Sequence, residues 1–198
     1  MAFFRRFVLV LLGLIAPFLP TPELRAEEKV DLELVLAVDV SGSVDPDEAR
    51  LQRDGYVAAL RDTEVVRAIT SGFRGAIAVS YIEWAGGHHS FVVSDWQRID
   101  GADSANRFAA RIAEEPLTTG LWTSISGVIG FTLPRFEDNG FVGTRRVIDI
   151  SGDGANNDGM PVTMARDAAM AARVTVNGLP IVNDRINPYG HKQVANLD

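Results

Sequence analysis

The stretch from Leu32 to Val38 is a nearly continuous apolar run that ends at an acid, Asp39. A strand that is apolar on both faces has to be covered on both faces. Parallel sheets with helices above and below meet that condition. The pattern recurs more than a hundred residues later, where Val147 to Ile150 runs into Ser151-Gly152-Asp153-Gly154. A chain that repeats it, with helices between, is directed toward an α/β sheet whose strand ends carry acidic loops.

The segments between these strands carry helix and turn signals. Asp45-Pro46-Asp47-Glu48 is a strong helix start: Asp45 caps, Pro46 suits the first turn and Glu48 completes a capping box. Ala49, Tyr56, Val57 and Leu60 follow at helical spacing. Ala76 to Trp84, the turn Gly86-Gly87, and Phe91 to Trp96 read as a hairpin. Asp103-Ser104 opens a second helix with Phe108 and Ile112 inward. After the loop beyond Pro116, a third helix carries Ile125, Val128, Ile129, Leu133 and Phe136 on one stripe. Glu137 to Gly140 is a turn, Pro161 to Arg173 a helix, and Val174 to Val182 a further strand, while residues 27–31 are a charged lead-in. The expected fold is therefore a doubly wound, mostly parallel sheet with one antiparallel edge strand from the hairpin and helices on both faces.

The chain of 198 residues is long enough for one domain with a substantial core. Arg5 and Arg6 precede an apolar run from Phe7 to Phe18, and Leu24-Arg25-Ala26 offers a cleavage point, the layout of a secretory signal peptide over residues 1–26. The run falls short of the ~20 apolar residues of a membrane span, and no other stretch could form one. Residues 27–198 then form the domain, in the periplasm of a Gram-negative cell or secreted. Removing residues 1–26 takes away three Arg and one Glu and moves the formal charge from −7 to −9. An acidic surface disfavours nucleic acid and anionic lipid as partners. With no cysteine, an exported domain relies on its core and on any metal it holds.

Asp39, Ser41 and Ser43 stand at alternate positions, so an extended backbone points them the same way. Gly42 between them permits a tight turn. Ligands of open α/β sheets bind at the carboxyl ends of strands, where strand order reverses. Asp39 and Asp153 each lie just past such an end, and neighbouring strands would bring them together. Carboxylate and hydroxyl oxygens suit Mg²⁺, Mn²⁺ or Ca²⁺. Asn156 and Asn157 are candidates for bracing the ion's waters. Asp149, an acid in an apolar strand, is either a further brace or, preferably, the structural partner of Arg145 or Arg146. His88-His89 reads as an exposed turn at the hairpin tip. Trp84, Trp96 and Trp122 are expected to pack, with a place beside the site as the alternative for Trp122.

Asp39-Val40-Ser41-Gly42-Ser43 resembles the D-x-S-x-S motif of von Willebrand factor type A (VWA) domains. Thr123, opening the third helix, is similar to that family's metal-site threonine, and Gly152-Asp153-Gly154 to its T/S-D-G turn. The alternative role for Thr123 is helix cap, with Thr118 or Thr119 taking its place. The resemblance spans roughly residues 30–183 and implies a site in which Ser41, Ser43 and Thr123 ligate one divalent cation. Asp39 and Asp153 would act directly or through water. It also implies a protein partner that offers an acidic side chain to the metal, and no catalysis. Such domains end with a further strand and helix that the sequence after Asn183 does not supply, so the fold is expected to be incomplete at its C-terminus. The same two segments also resemble the phosphorylation loop and G-D-G-x-N-D turn of haloacid-dehalogenase-type phosphotransferases, with Asp39 as nucleophile and Mg²⁺ at the same rim. Against this, Ser41 stands where those enzymes place a second acid, and lysine occurs only at 29 and 192.

Overall fold

The computed structural model describes residues 27–181. The signal-peptide expectation for residues 1–26 lies outside the described residues, as does the expectation that the last strand and helix are missing, which falls on 182–198. The strands are β1 Glu28–Val30, β2 Leu32–Asp39, β3 Ile77–Trp84, β4 Ser90–Ile99, β5 Phe141–Gly143, β6 Arg146–Gly152 and β7 Val174–Pro180. The helices are α1 Pro46–Arg61, α2 Thr63–Thr70, α3 Ala102–Glu114, α4 Ile125–Thr132 and α5 Val162–Ala171, with a 3-10 turn at Leu133–Phe136.

β2 sits at the centre of a five-stranded sheet ordered β4-β3-β2-β6-β7. It pairs in parallel with both β3 and β6, so strand order reverses at its carboxyl end. β4 is antiparallel to β3 and forms one edge. This is the doubly wound sheet with one antiparallel edge hairpin strand expected from the alternation of strands and helices.

Side-chain alternation along β2 explains why its apolar run has no polar face. Leu36 and Val38 join Val57 and Leu60 of α1 and Phe108 and Ile112 of α3. Val35 and Ala37 point the other way, into a cluster with Val128 and Ile129 of α4 and Ala165 and Ala169 of α5. The helix start at Asp45 is built as expected. Its carboxylate accepts from the amides of Asp47 and Glu48, and Glu48 accepts in return from the Asp45 amide.

Several features of the fold depart from the sequence expectations. Residues 28–30 of the lead-in form β1, paired in parallel with β5. A separate helix, α2, follows α1 and is capped by Asp62, whose side chain accepts from Glu64 and Val65. The third helix stops at Thr132, and the Leu133–Phe136 segment is a 3-10 turn. Pro134 has no N–H for the ladder and its ring crowds the preceding turn. Phe136 still reaches the core. Trp122 does not pack but takes its alternative place, near Val40 and Gly42 at the end of β2: it is 65 % exposed, whereas Trp84 is fully buried.

Candidate metal centre

Because β2 and β6 are neighbours, the loops that follow them share one rim; Val38 pairs with Ser151 in the register. Asp39 is fully buried at the end of β2, and its Oδ1 accepts from the Ser41 amide at 2.7 Å. Ser41 Oγ and Ser43 Oγ lie 3.0 Å apart. Ser43 Oγ donates to Asp153 Oδ1 at 2.7 Å, across 110 residues of sequence. The two acidic loops therefore meet, and four of the five candidate ligands form one hydrogen-bonded chain.

Thr123 completes the group from a third segment. A Cβ built on Gly154 would lie 3.8 Å from Thr123 Oγ1, which places the hydroxyl against the Asp153 turn. The Thr123 amide donates to Asn157 Oδ1 at 2.8 Å, and its carbonyl accepts from the Asn157 amide at 2.9 Å. Capping of α4 falls to Ser124, whose Oγ accepts from the Gly127 amide and donates to the Asp158 carbonyl. Thr118, the alternative to Thr123, instead donates to Glu83 Oε2 at 3.2 Å.

The remaining expectations divide. Asn156 accepts from the Ser126 amide and Asn157 from that of Thr123, so both lace the 152–160 loop to the start of α4. Asp149 takes no part. It lies four residues before Asp153 along the β6 segment, roughly 13 Å at strand spacing, and accepts from Asn177 Nδ2 at 2.7 Å. Its expected partnership with Arg145 or Arg146 is not formed: among the described residues neither arginine pairs with Asp149, and Arg146, an odd number of residues away and so on the opposite face, pairs there with Glu33 and Glu137. His88 is exposed as expected, whereas His89 is half-buried with its ring edge-on to Phe91.

The local chemistry fits a hard cation. Asp39 Oδ2 is buried and has no hydrogen-bond partner among the described residues. Burial pushes the Asp39 carboxyl up to about 7; the Ser41 hydroxyl and amide oppose the rise, and the charge of Asp153 adds to it. Gly152 leaves room around this oxygen, since a Cβ there would lie 3.0 Å from Asp39 Oδ2 and 3.3 Å from Trp84 Cζ2. Among the described residues no three His, Cys, Asp or Glu side chains cluster as a metal site. A cation here would have to be held by hydroxyls together with the two acids, a donor set suited to Mg²⁺, Mn²⁺ or Ca²⁺.

Two features at this rim escaped sequence reasoning. The segment from Glu115 to Ser124 is pinned along its length. The Gly120 amide donates to the Val40 carbonyl, Gly86 donates to Leu121, and Ser124 donates to Ala85. At its start, Arg53 of α1 donates to the carbonyls of Glu115 and Pro116 and pairs with Glu83 of β3. The signal available was Glu83 itself, a carboxylate in a strand with no exposed residue. The second feature is a cleft of about 930 Å³ beside the rim, lined by Val40, Val44, Leu117, Leu121, Trp122 and His88 among others. Trp122 stands at its edge with φ +64°, a conformation that costs a non-glycine residue of order 1 kcal/mol.

Comparison with known proteins identifies the family and bears on the fold. Residues 29–195 match the family model described as "Protein of unknown function (DUF1194)". The chain belongs to this family. None of the curated proteins compared with it matches. Proximal thread matrix protein 1 of the mussel byssus is similar in structure, with a TM-score of 0.61 at 14 % identity, over 80 % of this chain and 40 % of that one. A second structure of that protein, described as having a zinc-occupied MIDAS motif, gives a TM-score of 0.60 at 15 % identity over the same shares. An aerotolerance-related membrane protein of Bacteroides fragilis gives 0.56 at 19 % identity, over 83 % of this chain and 74 % of that one. A von Willebrand factor type A structure from Catenulispora acidiphila gives 0.56 at 13 % identity, over 78 % and 34 %. The DUF1194 chain thus has a VWA-like fold, and it spans less than half the length of the mussel and Catenulispora chains it resembles.

Proposed function

We propose that this DUF1194 chain is an exported VWA-like module that holds one divalent cation at the β2–β6 rim and uses it to bind a protein. The observation that carries this reading is the meeting of the two acidic loops through Ser43 and Asp153, beside a buried Asp39 oxygen that lacks a partner among the described residues. Ser41, Ser43 and Thr123 would bind the ion through hydroxyl oxygens, and Asp39 and Asp153 would balance its charge directly or through water. The bound ion would supply a hard Lewis acid with room for a carboxylate from the partner. The mussel protein with a zinc-occupied MIDAS supports divalent binding on this fold. Mg²⁺, Mn²⁺ or Ca²⁺ is the ion that an all-oxygen donor set favours.

Export rests on the signal-like segment at 1–26. No described helix is long and apolar enough to cross a membrane. The acidic surface argues against nucleic acid as partner.

Isothermal titration of the chelator-stripped protein with Mg²⁺ and Mn²⁺ tests the site. One site is expected, weakened in Ser41→Ala, Ser43→Ala and Thr123→Ala by at least the ~10–100-fold that loss of a group behind a ligand costs, with melting temperatures in chelator close to wild type. Absence of both binding heat and any thermal shift in the wild type would remove the cation from the proposal. Retention of a protein from periplasmic extract in Mg²⁺ and its release by chelator would support the interaction role. Turnover of an aryl phosphate in Mg²⁺, lost in Asp39→Asn, would select the phosphotransferase alternative.

A further inference from the structure

Arg53 and Glu83 form an ion pair that the proposed site does not use. Arg53 is 5 % exposed and Glu83 is 1 % exposed. Burying two charges is expensive, and an apolar pair of similar volume is often as stabilising or more so. Stability alone is therefore a poor reason for these residues. What an apolar pair could not do is hold a loop by its polar atoms, and that is what the pair does. Arg53 Nη2 donates to Glu83 Oε1 and to the Pro116 carbonyl, and Nη1 donates to the Glu115 carbonyl. Glu83 Oε2 accepts from Thr118 Oγ1 at 3.2 Å. The guanidinium thus holds the two carbonyls at which the chain leaves α3, and the carboxylate catches the loop two residues further on.

The placement ties this clamp to the rim. Glu83 pairs with Val38 in the β2–β3 register, one residue below Asp39. Arg53 belongs to α1, whose cap Asp45 follows Ser43 by two residues. The clamped segment runs through Gly120, which bridges to Ser41, to Thr123. One device therefore touches the elements that carry Ser41 and Ser43 on one side and Thr123 on the other.

We propose that Arg53 and Glu83 are positioning residues that fix the 115–124 segment, so that Thr123 stands at the separation from Ser41 and Ser43 that cation binding requires. This rests on the cation reading above and adds a determinant that does not itself touch the ion. Arginine suits the role better than lysine, because its planar fork serves a carboxylate and backbone carbonyls at once.

The test pairs titration with Mg²⁺ and Mn²⁺ with hydrogen exchange of the Gly120, Thr123 and Ser124 amides in chelator. It compares wild type, Thr118→Val, Glu83→Gln, Arg53→Lys and a control, Phe108→Leu, which loosens the α1–α3 core without touching the loop. The clamp variants are expected to lose ~10–100-fold in cation affinity, the range seen when groups behind metal ligands are removed, and to exchange faster at these amides. Thr118→Val, which deletes one hydroxyl, is expected to remain folded and to show a smaller loss of the same kind. Phe108→Leu is expected to lower the melting temperature with affinity unchanged. Wild-type affinity in folded Thr118→Val and Glu83→Gln overturns the proposal, as does an equal loss of affinity in Phe108→Leu. If the wild type binds no ion, the cation reading fails and the affinity role fails with it. Exchange alone then decides whether the clamp orders the loop, and unchanged exchange in the clamp variants overturns that as well.

Discussion

Asp39→Asn is expected to raise the stability of the cation-free protein at pH 8 while abolishing its response to divalent cations. The Asp39 carboxyl is fully buried, with one oxygen unpartnered among the described residues and the Asp153 charge nearby. Its pKa in the fold, about 7, lies above the usual 3.8. The sign follows from linkage: an acid whose pKa rises on folding contributes its full stability below the unfolded value and loses it as pH rises through the folded one. A rise of about three units corresponds to roughly 4 kcal/mol of destabilisation above pH 7, a ceiling on what the neutral amide recovers. Urea midpoints in chelator should therefore favour the Asn variant at pH 8 and converge with wild type toward pH 4. Adding Mg²⁺ should raise the wild-type midpoint and leave the variant unmoved. An Asn variant less stable than wild type in chelator at pH 8 would contradict this account.

Glu33→Leu is expected to destabilise the domain by roughly 3 kcal/mol or more without altering cation affinity. Glu33 is fully buried at the start of β2. Its carboxylate accepts from the Gly143 amide at 2.6 Å and the Asn139 side-chain amide at 2.7 Å, with Arg146 Nε at 3.5 Å. Leucine would strand two donors, each at about 1–3 kcal/mol when buried, while Arg146 keeps Glu137. The position lies six residues before Asp39, roughly 20 Å along the strand, so the rim should not feel it. A clearly lowered urea midpoint with an unchanged Mg²⁺ titration is the expected pair of results; a wild-type midpoint would show that the carboxylate contributes nothing.

Glu33 also marks the limit of what the sequence made legible. Apolar runs and capping signals located β2, β3, β6 and α1, because burial and caps are properties of short segments. The meeting of Asp39, Ser41 and Ser43 with Asp153 was legible because spacing put three of them on one side and strand order put the fourth at the same rim, whereas Thr123, which ends no strand, was picked out only by its resemblance to the VWA threonine. The partners of buried charges were not legible. Glu33 reaches residues 139–146, and Glu83 reaches Arg53, 30 positions away. Such pairings depend on tertiary registry, on which neighbouring residues say nothing. Asp149 was misassigned for the same reason: its partner, Asn177, stands opposite it on the neighbouring strand β7. The weak strands β1 and β5, of three residues each, lacked the length to show a period.

The bond from Ser43 to Asp153 has a consequence for the order of events during folding. Its two ends are 110 residues apart, so no early, local fragment of the chain contains even a crude version of the rim. A loop of that length must close and β2 must dock on β6 first, which places the ion pocket among the last structures to form. An ion could not then seed folding as it does in a motif whose ligands all lie in one short stretch. It would instead act as a latch on the finished molecule, felt in how slowly the domain comes apart.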